Sequence, residues 1–101
     1  MWHLYDGVHC VLTDEGGAIL NERTGRWSCL TPTATAAVML LLASASEEEA
    51  AGRFAERYSI PAGQAVTDMH AVASALAAQG LAHDAPVPLG RIRQWWKGRP
   101  S

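Results

Sequence analysis

Few side chains in this sequence could do covalent or metal chemistry, and their spacing argues against it. Cys10 and Cys29 are the two thiols, and His3, His9, His70 and His83 the four imidazoles. A Cys–His nucleophile needs an oxyanion hole and a deep pocket around it. The histidines show no metal-ligand spacing such as an i, i+4 pair on one helix. Glu47-Glu48-Glu49 is the one run of carboxylates, but it falls at a predicted helix start, where negative charge suits the helix dipole. Gly16-Gly17 belongs to neither G-x-x-x-x-G-K nor G-x-G-x-x-G, so no phosphate loop is present. We expect no catalytic residues, no metal ligands and no cofactor.

What remains is binding, and the elements that would position it are legible along the chain. Val8 to Thr13 is rich in β-branched and apolar residues and ends at Asp14-Glu15-Gly16-Gly17, a strong turn signal. Ala18 to Glu22 reads as a second strand. Arg23-Thr24-Gly25 is a hairpin loop in which Gly25 supplies the positive φ such turns need. Arg26 to Leu30 is a third strand, closed by Thr31-Pro32.

Helices follow. Thr31 is a predicted N-cap with Pro32 at the first helical position, and Ala34, Ala37, Val38, Leu41 and Leu42 recur at helical spacing. Ser46 with Glu49 forms a capping-box pattern for a second helix, whose buried stripe would be Ala51, Phe54, Ala55 and Tyr58. Ser59 to Gly63 turns into a third helix carrying Ala65, Met69, Val72, Ala73 and Leu76 on one side. Gly80 is positioned to cap its end, and Leu81 to fold back onto the last turn. The order βββααα predicts one α+β domain with helices on a three-stranded antiparallel sheet. Residues 1–7 read as an N-terminal extension, 8–82 as the domain, and 83–101 as a basic, Trp-containing C-terminal tail.

Length and charge narrow the partners. At 101 residues and 49% apolar composition the chain suffices for one apolar core. Arg91, Arg93, Lys97 and Arg99 sit in the last eleven residues, so the first ninety hold four bases and ten acids, a net −6. Such a body is a poor surface for phosphates. The start of the chain has neither a basic n-region nor an apolar h-region, and the longest apolar run, Ala36 to Ala43, is far short of the roughly 20 residues a membrane span needs. We expect a cytoplasmic protein with reduced thiols and no membrane span. The tail interleaves Arg and Lys with Trp95 and Trp96, a composition compatible with docking on a partner protein, an anionic membrane surface or nucleic acid, or with no fixed partner, and two adjacent tryptophans favour protein contact among the partners.

The stretch from Thr13 through Gly16-Gly17-Ala18-Ile19-Leu20-Asn21 to Gly25-Arg26-Trp27, continuing over Leu30-Thr31-Pro32-Thr33-Ala34, resembles the start of PqqD-like proteins. Ala77-Ala78-Gln79-Gly80-Leu81 resembles their usual ending. The resemblance covers Val8 to Leu81. It departs at Leu30-Thr31-Pro32, where the family usually has Leu-Asn-Pro, and Thr caps a helix nearly as well as Asn. Within the family the sequence is most similar to the stand-alone proteins of lasso peptide biosynthesis, the RiPP recognition elements.

The resemblance implies a winged helix-turn-helix-like fold and a non-catalytic function: holding the leader region of a ribosomally made precursor peptide. It implies partners as well, a leader peptidase of the transglutaminase-like cysteine protease type, with the lasso cyclase as a further candidate. It also places the leader as an added strand between the third strand and the third helix. The peptide-binding residues would then be Arg26, Trp27, Ser28, Cys29 and Leu30 with Ala65, Asp68, Met69, Val72 and Leu76. Trp27, Met69, Val72 and Leu76 would wall an apolar groove suited to a Tyr-x-x-Pro element and the aliphatic residue after it. By its own chemistry Asp68 could pair with a basic leader residue or a free amide, or stand as a plain solvated acid.

The alternative is a winged-helix DNA-binding regulator using the third helix. Ala62 to Gly80 contains no Lys or Arg, however, and its only ionisable side chains are Asp68 and His70. A recognition helix without a base lacks what phosphate and base-edge contacts require, so we expect no nucleic-acid partner.

Overall fold

The computed structural model describes residues 1–85. Its elements run β1 (Trp2–Leu4), β2 (Val8–Thr13), β3 (Gly16–Asn21), β4 (Arg26–Leu30), α1 (Pro32–Ala43), α2 (Glu47–Tyr58), α3 (Ala62–Ala78) and β5 (Ala82–Asp84). This is an α+β architecture of antiparallel sheets and three helices, with β2–β3–β4 as a meander. The basic, Trp-containing tail lies outside the described residues, apart from the β5 residues at its start.

Alternation sets the two faces of the meander. Cys10, Ile19 and Ser28 lie side by side, as do Leu12, Gly17 and Leu30, and buried Ile19 marks this as the core face. His9, Leu20 and Trp27 share the opposite, outer face with Val11, Ala18 and Cys29. The first turn is tighter than the sequence suggests. Asp14 and Glu15 alone make it, and Gly16 and Gly17 open β3 opposite Thr13 and Leu12. Thr13 holds the turn, its hydroxyl donating to the Gly16 carbonyl at 2.7 Å and accepting from Glu15 N–H at 3.3 Å. Gly17 is fixed by crowding, since a Cβ there would lie 2.6 Å from the Val11 carbonyl oxygen and 3.2 Å from Thr35 Oγ1 on α1.

The helices start and stop where local chemistry tells them to. Thr31 accepts from Ala34 N–H at 3.1 Å with Pro32 in the first turn of α1. Ser46 accepts from Glu49 N–H at 3.1 Å at the start of α2. The Glu49 carboxylate goes to Arg53 at 2.8 Å, one turn along, so only half of the capping box forms. The α2 stripe is Ala50, Ala51 and Phe54, whereas Ala55 is half-buried and Tyr58 exposed. α3 ends in a Schellman motif. Gly80 takes φ +67°, Leu81 N–H donates to the Leu76 carbonyl at 2.9 Å, and Gly80 N–H to that of Ala77 at 3.1 Å. That turn buries Leu81 in the core with Ile19, Val38, Leu41, Phe54, Met69 and Leu76.

A second, two-stranded sheet departs from the predicted three strands. β1 pairs antiparallel with β5, Trp2 opposite Asp84, His3 opposite His83 and Leu4 opposite Ala82. The terminal ammonium donates to Asp84 at 2.9 Å and to the Ala85 carbonyl at 2.7 Å. Trp2 and Ala82 are buried members of the core. Each strand has three residues, too few to show alternation, and their pairing spans the whole domain; nothing local announces it.

Candidate functional site

The fold leaves a groove between β4 and α3. Among the described residues β4 is an edge strand, hydrogen-bonded to β3 on one side only, so its other row of backbone groups can pair with an added strand. Leu30 runs directly into the Thr31-Pro32 cap, which brings the first turn of α1 under the groove.

Three adjoining clefts make up its length. The middle one, about 140 Å³, is apolar and lined by Ile19, Leu30, Ala34, Val38, Val72, Ala75, Leu76 and Leu81, with Ser28 and Gln79 at its mouth. Ser28, Gln79 and Leu81 also border a more polar cleft that holds Asn21, Thr24, Arg26, Trp27 and Ala78. Ala34 and Val72 lead the other way, into a shallow cleft with Thr31, Thr33, Ala37, Phe54 and Ala71 that ends at Asp68. The Ser28 hydroxyl donates to Gln79 Oε1 at 3.4 Å, a polar bridge from strand to helix end.

The expected site residues separate into three groups. Arg26, Ser28 and Leu30 share the core face of β4 and, with Val72, Leu76 and Asp68, line the groove. Trp27 and Cys29 belong to the edge strand through their backbone, but alternation turns their side chains to the outer face, where Trp27 is 62% exposed. Trp27 therefore does not wall the apolar middle of the groove. Ala65 and Met69 are 0% exposed: packing on the inner face of α3 makes them core that supports the groove from beneath. The groove residues that sequence reasoning missed, Ala34, Ala75, Gln79 and Leu81, sit at helix ends and on the flank of the α3 stripe. The Gly80 signal was the one clue to two of them, because it fixes where Gln79 and Leu81 turn.

The potentially reactive groups do not converge on this groove. Cys10 and Cys29 are free thiols on opposite faces of the sheet, and burial raises the Cys10 pKa above its ordinary value. His9 pairs with Glu22 at 2.9 Å on the outer face, and His70 with Glu47 at 2.9 Å, tying α3 to α2. Among the described residues no group of three His, Cys, Asp or Glu side chains is placed to hold a metal ion, and no helix is long and apolar enough to cross a membrane. The arrangement offers a strand edge, an apolar hole beside it, and opposite charges at the two ends.

An edge strand facing an apolar helix groove is a geometry to which an extended peptide can add as a strand, and comparison with known proteins gives the family. The family described as Coenzyme PQQ synthesis protein D (PqqD) matches residues 16–82, and the chain belongs to it. Its fold is similar to that of a solved structure described as "Lasso peptide synthetase B1 complexed with the leader peptide", at 26% identity and a TM-score of 0.72, covering 82% of this chain and 98% of that one. A second, "TbiB1 in Complex with the TbiA(beta) Leader Peptide", shares the fold at 22% identity and a TM-score of 0.72, covering 81% and 95%. No curated protein matches the sequence significantly.

Proposed function

We propose that this protein is a RiPP recognition element that binds the leader region of a ribosomally made lasso precursor and forms or breaks no bond itself. The carrying observation is the free edge of β4 beside the apolar cleft formed with α3. A leader segment adds there as a fourth strand. Its main chain pairs with Arg26 to Leu30, Trp27 and Cys29 contributing through their backbone groups, and one face of it lowers an apolar anchor between Leu30, Val72 and Leu76. Ala65 and Met69 hold α3 at the distance this requires. The 26%-identical lasso peptide synthetase B1, solved as a complex with a leader peptide, supports the same reading.

A few anchored residues plus strand pairing suffice for micromolar affinity, about 8 kcal/mol. Binding raises the effective concentration of the precursor at a partner leader peptidase of the transglutaminase-like cysteine protease type, with the cyclase as a second recipient. In this reading the winged helix-turn-helix-like arrangement of α2 and α3 serves peptide rather than DNA, in the cytoplasm, where two unpaired thiols remain reduced.

The test is a fluorescence-anisotropy titration with the leader segment of the precursor encoded beside this protein. Val72→Asp places a charge on the groove wall at a half-buried position packed on the edge of the core, and, with circular dichroism verifying the fold, should weaken binding at least tenfold. Saturable binding abolished by that change supports the proposal. No binding at tens of micromolar, or equal binding by Val72→Asp, overturns it.

A further inference from the structure

The groove is electrically polar along its length, and that polarity has an explanation in what it holds. The described body is strongly acidic, with four arginines as its only Arg or Lys residues. Arg53 pairs with Glu49, Arg57 reaches Asp14, and Arg23, in the hairpin loop, lines none of the three clefts. Arg26 has no carboxylate partner among the described residues, yet it lines the polar cleft with Asn21, Thr24, Ser28 and Gln79, a set of amide and hydroxyl groups around one guanidinium. At the far end, past the apolar middle, Asp68 is half-buried and likewise without a basic partner among the described residues.

We infer that the groove reads a charge pattern in the bound leader: an acidic residue beside Arg26, an apolar anchor in the middle, and a basic residue beside Asp68. This rests on the leader-binding reading above and adds to it a rule of register and direction. Strand geometry sets the spacing. Arg26, Ser28 and Leu30 point the same way at intervals of about 6.6 Å, so an added strand presents its own alternate residues to them. The acid therefore falls two or four residues from the apolar anchor, on the same face. The guanidinium takes the carboxylate as a two-pronged pair, which fixes geometry as well as charge. A leader laid in the reverse direction would set acid against Asp68 and base against Arg26, so the two ends together select one direction.

The experiment uses the same leader segment in variants, with each Asp or Glu replaced singly by its amide and each Lys or Arg by Gln. They are titrated against the wild-type protein, Arg26→Gln and Asp68→Asn, with circular dichroism verifying that all three fold alike. One acidic position should weaken binding to wild type about tenfold and leave binding to Arg26→Gln unchanged. One basic position, on the other side of the anchor, should show the same coupling with Asp68→Asn. Arg26→Lys should recover only part of the affinity. If the leader binds while no charged position couples to Arg26 or Asp68, the charge rule fails and leader recognition stands. If the leader does not bind at all, both fall.

Discussion

At the scale of single residues, two kinds of constraint act on this chain. On the proposed reading Arg26, Val72 and Asp68 matter for what they present to a ligand, whereas Gly17 is held by what it must not present to its neighbours. With the Val11 carbonyl 2.6 Å and Thr35 Oγ1 3.2 Å from where a Cβ would stand, Gly17→Ala must part β3 from β2 or push α1 outward. Over-packing of this kind costs about 1–3 kcal/mol, and the loss should appear as a lower urea midpoint with an unchanged slope. Alternation sends Cys29 and Leu30 to opposite faces of β4. What alternation leaves open is which set faces the core. Trp27, the largest side chain on β4, sits outside because Ser28 is the residue opposite buried Ile19. The same ambiguity applies to Met69, whose place on an apolar stripe is compatible with groove and core alike until the packing of α2 on α3 seals it.

At the scale of elements, what was legible is what is local. Thr31-Pro32, Ser46 and Gly80 announce helix ends through hydrogen bonds between near neighbours in sequence, and all three are found where expected. The extent of β4 was readable for the same reason, since a Gly-containing loop and a proline bracket it. The start of β3 lies earlier than predicted because Gly16-Gly17 looks like a turn and is instead a strand start under steric pressure. The Schellman end of α3 also aims Gln79 and Leu81 into the groove. Gly80→Ala forces a side chain into the left-handed region at a cost of about 1–2 kcal/mol. It should lower the melting temperature and, because Gln79 and Leu81 border the clefts, weaken leader binding by more than an equally destabilising change on α2. A two-variant comparison of melting and anisotropy tests that difference.

At the scale of the whole molecule, the second sheet is the feature no local signal disclosed. β1 and β5 join positions 83 residues apart, through Met1 and Asp84, and place Trp2 in the core. Trp2→Ala should cost about 3 kcal/mol, within the range for removing a large aromatic side chain, measured by chemical denaturation. The groove is built mainly from the meander, α1 and α3, with Phe54 of α2 and Leu81 at its edges and Trp2 itself outside it, so leader affinity measured well below the melting temperature should change by less than about twofold, under 0.5 kcal/mol or so. The pairing also has a consequence in time. The hairpins of β2–β3–β4 close over short loops, whereas β1 can find β5 only after nearly the entire chain has been drawn together, and the entropy of closing so long a loop delays it. The two-stranded ribbon is then the last piece to lock and the first to let go. Loss of Trp2 should leave the refolding rate almost unaltered and show itself in faster unfolding.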